Sequence, residues 1–373
     1  MVRGLAGLDS LESEWSILSN DSSLFYQRYE WYHAYLSHLE KAPDDVYFFL
    51  VYQNNQLLLI LPLRRKIHEG SCFWLKTWET PKKDQIDLYD FIAVNKECVM
   101  PAFEAVINKL NSDVQYQYDA IFLESVLEGG NAWNIFSEKS IKNRIISDSG
   151  FSKCLKYNDS IGVTESWGSG KFRRNLRRLE KRLKSKGELT LKSYDDIDKC
   201  REMFPVFLEI EAASWKGESG TKSAIKFDEN SKNFYLQLLE SFSRLNKLQL
   251  NILELNGQPI AGQYCLMEKN RVNLIKIGHD QKFNDCNPGF LLIKMIFETG
   301  SEKGSFNELN FVTGEEWNDK FRPQKLRVQN AVFINSTLKG FLYSTMFKTK
   351  LILKKWLRTP KKSMKKTQIR NEN

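Results

Sequence analysis

Residues 276–300 read KIGHDQKFNDCNPGFLLIKMIFETG. The stretch finishes a strand, passes through a polar loop and opens a helix at Asn287-Pro288-Gly289. Asn is a favoured N-cap, and Pro at the first helical position lacks only an N–H that the helix would leave unpaired anyway. The pattern predicts unpaired amides on Gly289, Phe290 and Leu291 at the positive end of the helix, where a phosphate binds readily. The plain alternative is an ordinary helix start.

Upstream, residues 248–280 read LQLNILELNGQPIAGQYCLMEKNRVNLIKIGHD. Asn256-Gly257 signals a type I′ hairpin turn, and Lys269-Asn270 leads into a third strand. Downstream, FNELNFV (306–312) supplies another short strand. A three-stranded antiparallel meander thus feeds a helix, and one more strand follows it.

The first half shows a similar plan. VYFFLVYQNNQLLLILPLRRK (46–66) folds about Asn54-Asn55, because Asn tolerates the positive φ of tight hairpin turns. Placing Asn54-Asn55-Gln56 on Asn256-Gly257-Gln258 aligns two apolar hairpins. Each precedes a helix-prone stretch and a short apolar strand, AIFLESV (120–126) and FNELNFV, so the chain reads as an internal duplication.

The chain has 373 residues, 42% of them hydrophobic, enough for two packed cores. No apolar run is long enough to span a bilayer, and the N-terminus lacks the pattern of a secretory signal, so a cytoplasmic location is expected. The six cysteines form no C-x-x-C pair and the four histidines no metal-binding spacing. Reduced thiols and no metal are expected.

The net charge of +9 is concentrated in two segments. Residues 171–186 carry +8 and residues 338–373 carry +10, leaving −9 for the remainder. In the first segment Arg173, Arg177, Lys181 and Lys184 recur at helical spacing, while Phe172, Leu176, Leu179 and Leu183 form an apolar stripe, with Gly187 as the stop. A solvated basic face and a phosphate-binding face are both open readings. In the second, Leu342, Met346, Phe347, Leu353 and Trp356 are interspersed with Lys348, Lys350, Lys354 and Lys355. Packing of this helix against the body is the bland reading; weak attraction to the anionic inner face of a membrane is the alternative.

Four stretches resemble the CelD-like and FemAB-like branch of the GNAT acyltransferase superfamily: GKFRRNLRRLEKRL (170–183), FLEIEAASWKGESGT (207–221), LIKIGHDQKFNDCNPGFLL (274–292) and FVTGEEWNDKF (311–321). The resemblance implies an α+β (mixed α/β) fold with two tandem GNAT-like domains, each a mostly antiparallel twisted sheet flanked by helices. The expected divisions are 1–160, 161–335 and a basic helical tail, 336–373. It also implies transfer of an acyl group from a thioester, acyl-CoA and most simply acetyl-CoA, to an amino group of a cell-envelope or polysaccharide precursor. The acceptor would be a small molecule or glycan precursor such as an amino sugar. An aminoacyl-tRNA donor, as in FemAB relatives, is the alternative, and a non-catalytic binding protein of the same fold another. A nucleic-acid-binding module ranks last, because the chain carries no recognised reader motif.

Two departures from the family pattern stand out. The glycine-rich GNAT phosphate loop is replaced by DQKFNDCNPGF, and Asn318 stands where the branch carries lysine between Trp317 and Phe321. Lys320 could replace that positive group.

Carried onto this chain, Asn287, Pro288, Gly289, Phe290 and Leu291 would hold the donor's pyrophosphate. The reaction requires orientation of both partners, removal of a proton and stabilisation of an oxyanion. Glu211, Asp280, Glu315 and its neighbour Glu316 are the candidate carboxylates. Lys276, alternating with Ile275 and Ile277, is expected to face away from them and could approach the acyl oxygen. Arg173, Arg177, Trp215, Lys216 and Trp317 are candidate substrate contacts, with Gly217 and Gly220 bringing Trp215 and Lys216 close to a ligand.

Overall fold

A computed structural model describes residues 1–20, 23–69, 74–81, 88–138, 143–157 and 167–358, excepting the side chains of Ser137 and residues 350–358. The basic tail beyond residue 358 and Cys72 therefore lie outside the described residues.

The first half opens with β1 (Val2–Arg3) and helices α1 (Gly4–Asp9), α2 (Glu12–Leu18) and α3 (Tyr29–His38). The hairpin β2 (Val46–Gln53) and β3 (Gln56–Glu69) then leads to β4 (Trp74–Glu79) and β5 (Ile92–Ala93). α4 (Val99–Ser112), β6 (Ala120–Leu127), α5 (Asn131–Ser137) and β7 (Arg144–Lys156) follow. The second half comprises α6 (Gly170–Lys184), β8 (Leu189–Tyr194), α7 (Ile197–Ala212), α8 (Glu229–Arg244), β9 (Leu248–Leu255), β10 (Gln258–Glu268) and β11 (Arg271–His279). It ends with α9 (Pro288–Glu302), β12 (Glu308–Asn310), β13 (Gln324–Ile334) and α10 (Leu338–Arg358).

Both predicted hairpins form. Asn54 and Asn55 have φ of 49° and 62°, and Asn256 and Gly257 have 52° and 76°, the paired positive values a type I′ turn requires. β4 pairs parallel to β6, and β11 parallel to β12; every other pairing of consecutive named strands is antiparallel. The mixed, largely antiparallel α+β architecture expected from the sequence is present.

The halves share one continuous sheet, ordered β1-β2-β3-β4-β6-β13-β7-β12-β11-β10-β9-β8. The strand after each parallel pair crosses over. β7, from the first half of the sequence, lies against β12, whereas β13, from the second half, lies against β6. β7 and β13 then pair with each other from Cys154↔Gln324 to Arg144↔Phe333, joining the halves at the centre.

Helices cover both faces. α3, α7 and α8 share an aromatic-rich core with strands of both halves, including Trp15, Phe48, Phe207, Tyr235 and Tyr264. α4 and α5 cover the opposite face of the first half, while α6 and α9 cover that of the second. Leu176, Leu179 and Leu183 are buried as the apolar stripe of α6 predicted, leaving the basic residues outside except for the half-buried Arg173. The cysteines among the described residues, Cys98, Cys154, Cys200, Cys265 and Cys286, are free thiols.

Candidate active site

β11 and β12 stay paired only at Arg271↔Glu308, Val272↔Leu309 and Asn273↔Asn310. β12 then ends, and its chain turns at Val312, whose φ of 63° is strained for a β-branched residue. The Val312 amide donates to Asn310 Oδ1 at 2.9 Å, which holds this turn in place. β11 continues from Leu274 to His279 without a parallel partner among the described strands, opening a wedge toward the start of α9.

Within β11 the register with β10 shifts between Tyr264↔Lys276 and Cys265↔Leu274, so Ile275 is the extra residue of a bulge. The strict alternation expected around Lys276 is therefore broken. Ile275 joins the core that includes Tyr235, and the Lys276 ammonium lies 5.5 Å from the Tyr235 ring centroid. Burial lowers the Lys276 pKa to about 8; repulsion from Lys216 adds to the shift and Glu211 opposes it.

Glu211 ends up 1% exposed near the end of α7. One carboxylate oxygen accepts the Lys216 ammonium at 2.8 Å and the other the Ile225 amide at 2.9 Å. Lys216 also donates to the Ile277 carbonyl at 3.1 Å. Gly278 permits this packing, since a Cβ there would lie 2.5 Å from Glu211 Cα. Both Glu211 oxygens are thus committed within the protein. α7 ends at Ala212 and Trp215 lies exposed on the following loop, so Glu211 and Trp215 share no helical face. That loop is tight: a Cβ on Gly217 would meet the Ala212 carbonyl oxygen at 1.9 Å, and one on Gly220 the Trp215 carbonyl oxygen at 1.7 Å.

The start of α9 differs from the expected cap. Asn287 adopts a left-handed conformation with φ of 47°, and its side chain makes no capping bond. Its carbonyl instead accepts the amides of Phe290 and Leu291 at 3.1 and 3.2 Å. The row of three free amides is therefore corrected to the Gly289 amide, beside a partly paired first turn. Pro288 and Gly289 are buried, and a Cβ on Gly289 would approach His279 Nδ1 to 3.3 Å.

An aromatic wall stands beside this helix start. Phe290 stacks on Trp317 with centroids 5.8 Å apart and packs edge-on against Phe172 and Phe321. Lys320 lies 5.1 Å from the Phe290 ring centroid. The segment carrying Trp317 is clamped by Lys153 of β7, whose ammonium donates to the Glu315 carbonyl at 2.8 Å and pairs with Asp319 at 3.0 Å. Lys153 holds the Asp319 carboxyl below its ordinary pKa, with Lys325 contributing. Asn318 is fully buried here. The exchanged strand β7 therefore brings a cation beside the position where lysine was expected.

The other predicted residues separate. The Asp280 carboxylate caps its own loop by accepting the Lys282 amide at 2.9 Å. The Glu315 and Glu316 side chains are exposed. Arg173 turns back to donate to the carbonyls of Trp167 and Gly168 at 2.8 and 2.9 Å, whereas Arg177 is exposed on α6. Lys276, Glu211 and Lys216 form one cluster, while Gly289, Phe290 and Trp317 form another at the start of α9. Sequence reading missed Tyr235, Lys153 and Gly278 because their roles arise from contacts between separate elements.

Residues 170–321 match the family model described as an acetyltransferase (GNAT) domain. Together with the wedge between parallel strands, this match makes residues 170–321 similar to a GNAT-type acetyltransferase domain and supports a transferase. Its fold is similar to that of FemX, with a TM-score of 0.58 at 11% identity over 89% of this chain and 98% of the other. It is also similar to the C-terminal domain of a putative lysylphosphatidylglycerol synthetase from Agrobacterium fabrum, with a TM-score of 0.50 at 9% identity over 94% and 97% of the two chains. L-PGS from Bacillus licheniformis gives 0.50 at 12% identity over 92% and 98%. The comparison with curated proteins returned no match. Among the described residues, no group of three or more His, Cys, Asp or Glu side chains could hold a metal ion.

Proposed function

We propose that the protein is an N-acyltransferase moving an acyl group from acyl-CoA to an amino group of a cell-envelope or polysaccharide precursor. The observation that carries this reading is the half-buried Lys276 ammonium, with a pKa near 8, beside the open wedge that leads to the start of α9. The two-domain division at residues 160 and 335 belongs to the same proposal, with β7 and β13 exchanged between the domains.

In this reading the donor thioester lies in the wedge, its phosphates near the Gly289 amide. The acceptor amine attacks the thioester carbonyl carbon, forming the C–N bond and an oxyanion. Neutral Lys276 takes the proton released from the attacking nitrogen. Collapse of the oxyanion breaks the C–S bond, and Lys276 returns that proton to the departing sulfur. A lysine near 8 suits both transfers, since it is close in pKa to a free thiol and roughly a tenth neutral at pH 7. Glu211 positions Lys216 and supports the charge on Lys276.

An aminoacyl-tRNA donor is the second reading. The specific observation favouring it is the exposed row Lys171, Arg174, Arg177 and Lys181 on α6, which packs against the loop preceding α9. A protein of similar fold, the putative lysylphosphatidylglycerol synthetase of Agrobacterium fabrum, is named for a product that carries a lysyl group. Calorimetric titration with coenzyme A and acetyl-CoA tests the choice. Saturable binding that Gly289→Asp removes supports a coenzyme A donor; no binding at millimolar ligand, with tight binding of charged tRNA, replaces it with the second reading.

A further inference from the structure

α10 touches the body along one side. Gly340 fits closely against the carbonyl oxygens of Asn335 and Asp119, where a Cβ would come within 2.5 and 2.8 Å. Tyr343 and Phe347 pack on the cluster of Ala120, Ile145 and Val332, with Phe122 and Ile334 alongside. The other side presents Leu338, Phe341, Leu342 and Met346, which are 76, 67, 43 and 58% exposed.

Their spacing of three and four places these four residues on one stripe. Single exposed apolar residues are ordinary, but a contiguous row marks a surface that something covers. Lys339 and Lys348 are exposed at the borders of the stripe. Residues 338–358 contain six Lys and Arg and no acidic residue, and the apolar spacing continues in the sequence at Leu353 and Trp356.

Charge selects the occupant. A second copy meeting this stripe about a two-fold axis would set lysines against lysines. An acidic, wholly polar partner would match the charges and leave the apolar row uncovered. The surface of an anionic bilayer satisfies both requirements, taking the apolar row below its headgroups and the lysines at its phosphates. No helix among the described residues is long and apolar enough to cross a membrane, so the association would be in-plane.

We propose that α10 docks on the surface of an anionic lipid bilayer, with Leu338, Phe341, Leu342 and Met346 inserted at the headgroup boundary. One amphipathic helix gives reversible rather than permanent attachment. The inference does not depend on which acyl donor or acceptor the active site uses.

Co-sedimentation of the full chain with vesicles tests it. Wild type should pellet with vesicles of three parts phosphatidylcholine to one part phosphatidylglycerol and stay largely soluble with pure phosphatidylcholine. Its partitioning should fall about tenfold or more in high salt, because screening weakens the attraction to lipid phosphates. The exposed-face variant Phe341→Ser/Leu342→Ser/Met346→Ser should lose binding with an unchanged melting temperature; Lys339→Glu/Lys348→Glu should lose it as well and serves if the first variant is unstable. Soluble wild type with anionic vesicles overturns the proposal, as does equal binding to neutral vesicles or full binding by a folded serine variant. A wild-type dimer that the serine variant dissociates, without lipid binding, assigns the stripe to a second copy instead.

Discussion

The Lys216 ammonium lies 2.8 Å from the Glu211 carboxylate, and through this pair the loop after α7 is fixed to the strand that carries Lys276. Lys216 reaches the Ile277 carbonyl with the same ammonium, while Glu211 holds the Ile225 amide with its other oxygen. Two side chains thus set the distance between a glycine-rich loop and the bulged β11.

Glu211→Gln should destabilise the protein by about 2 kcal/mol, less than a wholly buried pair because Lys216 keeps some contact with water. The substitution also removes the carboxylate that opposes the lowering of the Lys276 pKa. Thermal melting should show the loss, and the activity profile should move to lower pH. An unchanged melting temperature would exclude the anchoring role.

Lys276 should govern the pH dependence of turnover. If its neutral amine takes the proton, kcat/KM rises with pH up to about 8 and then levels. Lys276→Met should lower kcat by about 100-fold or more and flatten the profile; Lys276→Arg, charged throughout, should be equally slow. Wild-type turnover in the arginine variant would show that a fixed positive charge suffices.

The same lysine predicts a stability slope. Its folded pKa of about 8 is below the usual 10.5, so between those values the unfolded chain binds more protons than the folded one. Stability contributed at this site should therefore rise as pH climbs from about 8 toward 10.5, the burial penalty being fully present below that window. Denaturant titrations of wild type and Lys276→Met across the window should differ in slope; parallel curves would contradict the burial of a charged amine.

Gly278→Ala should cost about 1–3 kcal/mol, because its methyl group would force α7 away from β11. Activity should fall further than the loss of folded protein explains, since Glu211 and Lys216 move with the helix. Specific activity measured per folded molecule checks this, with unchanged activity arguing against positional control by α7.

Arg173→Glu and Arg177→Glu should behave differently. The first removes bonds to the Trp167 and Gly168 carbonyls and should lower the melting temperature, whereas the second alters only an exposed position. Arg177→Glu should leave coenzyme A affinity unchanged and weaken any tRNA association with a reduced salt dependence. Equal melting temperatures would remove the structural role assigned to Arg173.

Local chemistry made much of the architecture legible. Asn54-Asn55 and Asn256-Gly257 demanded tight turns, and the leucines of α6 marked its buried face. The less visible features depend on distant partners. Nothing in the alternation of Ile275, Lys276 and Ile277 reveals the bulge, which exists only in register with β10. Asn287 looks like a side-chain cap, but its left-handed backbone lets its carbonyl take the Phe290 and Leu291 amides. Lys153 reads as one lysine among many until β7 crosses to the other half of the sheet and places it against the Glu315 carbonyl and the Asp319 carboxylate.

That crossing also constrains the order of events during synthesis. As the first half leaves the ribosome, β6 has no β13 beside it, and β7 is already committed to a neighbour that has not been made. Residues 161–335 produced alone would meet the converse difficulty, with β12 exposed where β7 belongs. Unpaired strand edges invite association with other chains. Separating this protein at the midpoint should therefore yield two aggregation-prone fragments that recover solubility when produced together, each lending the other its central strand.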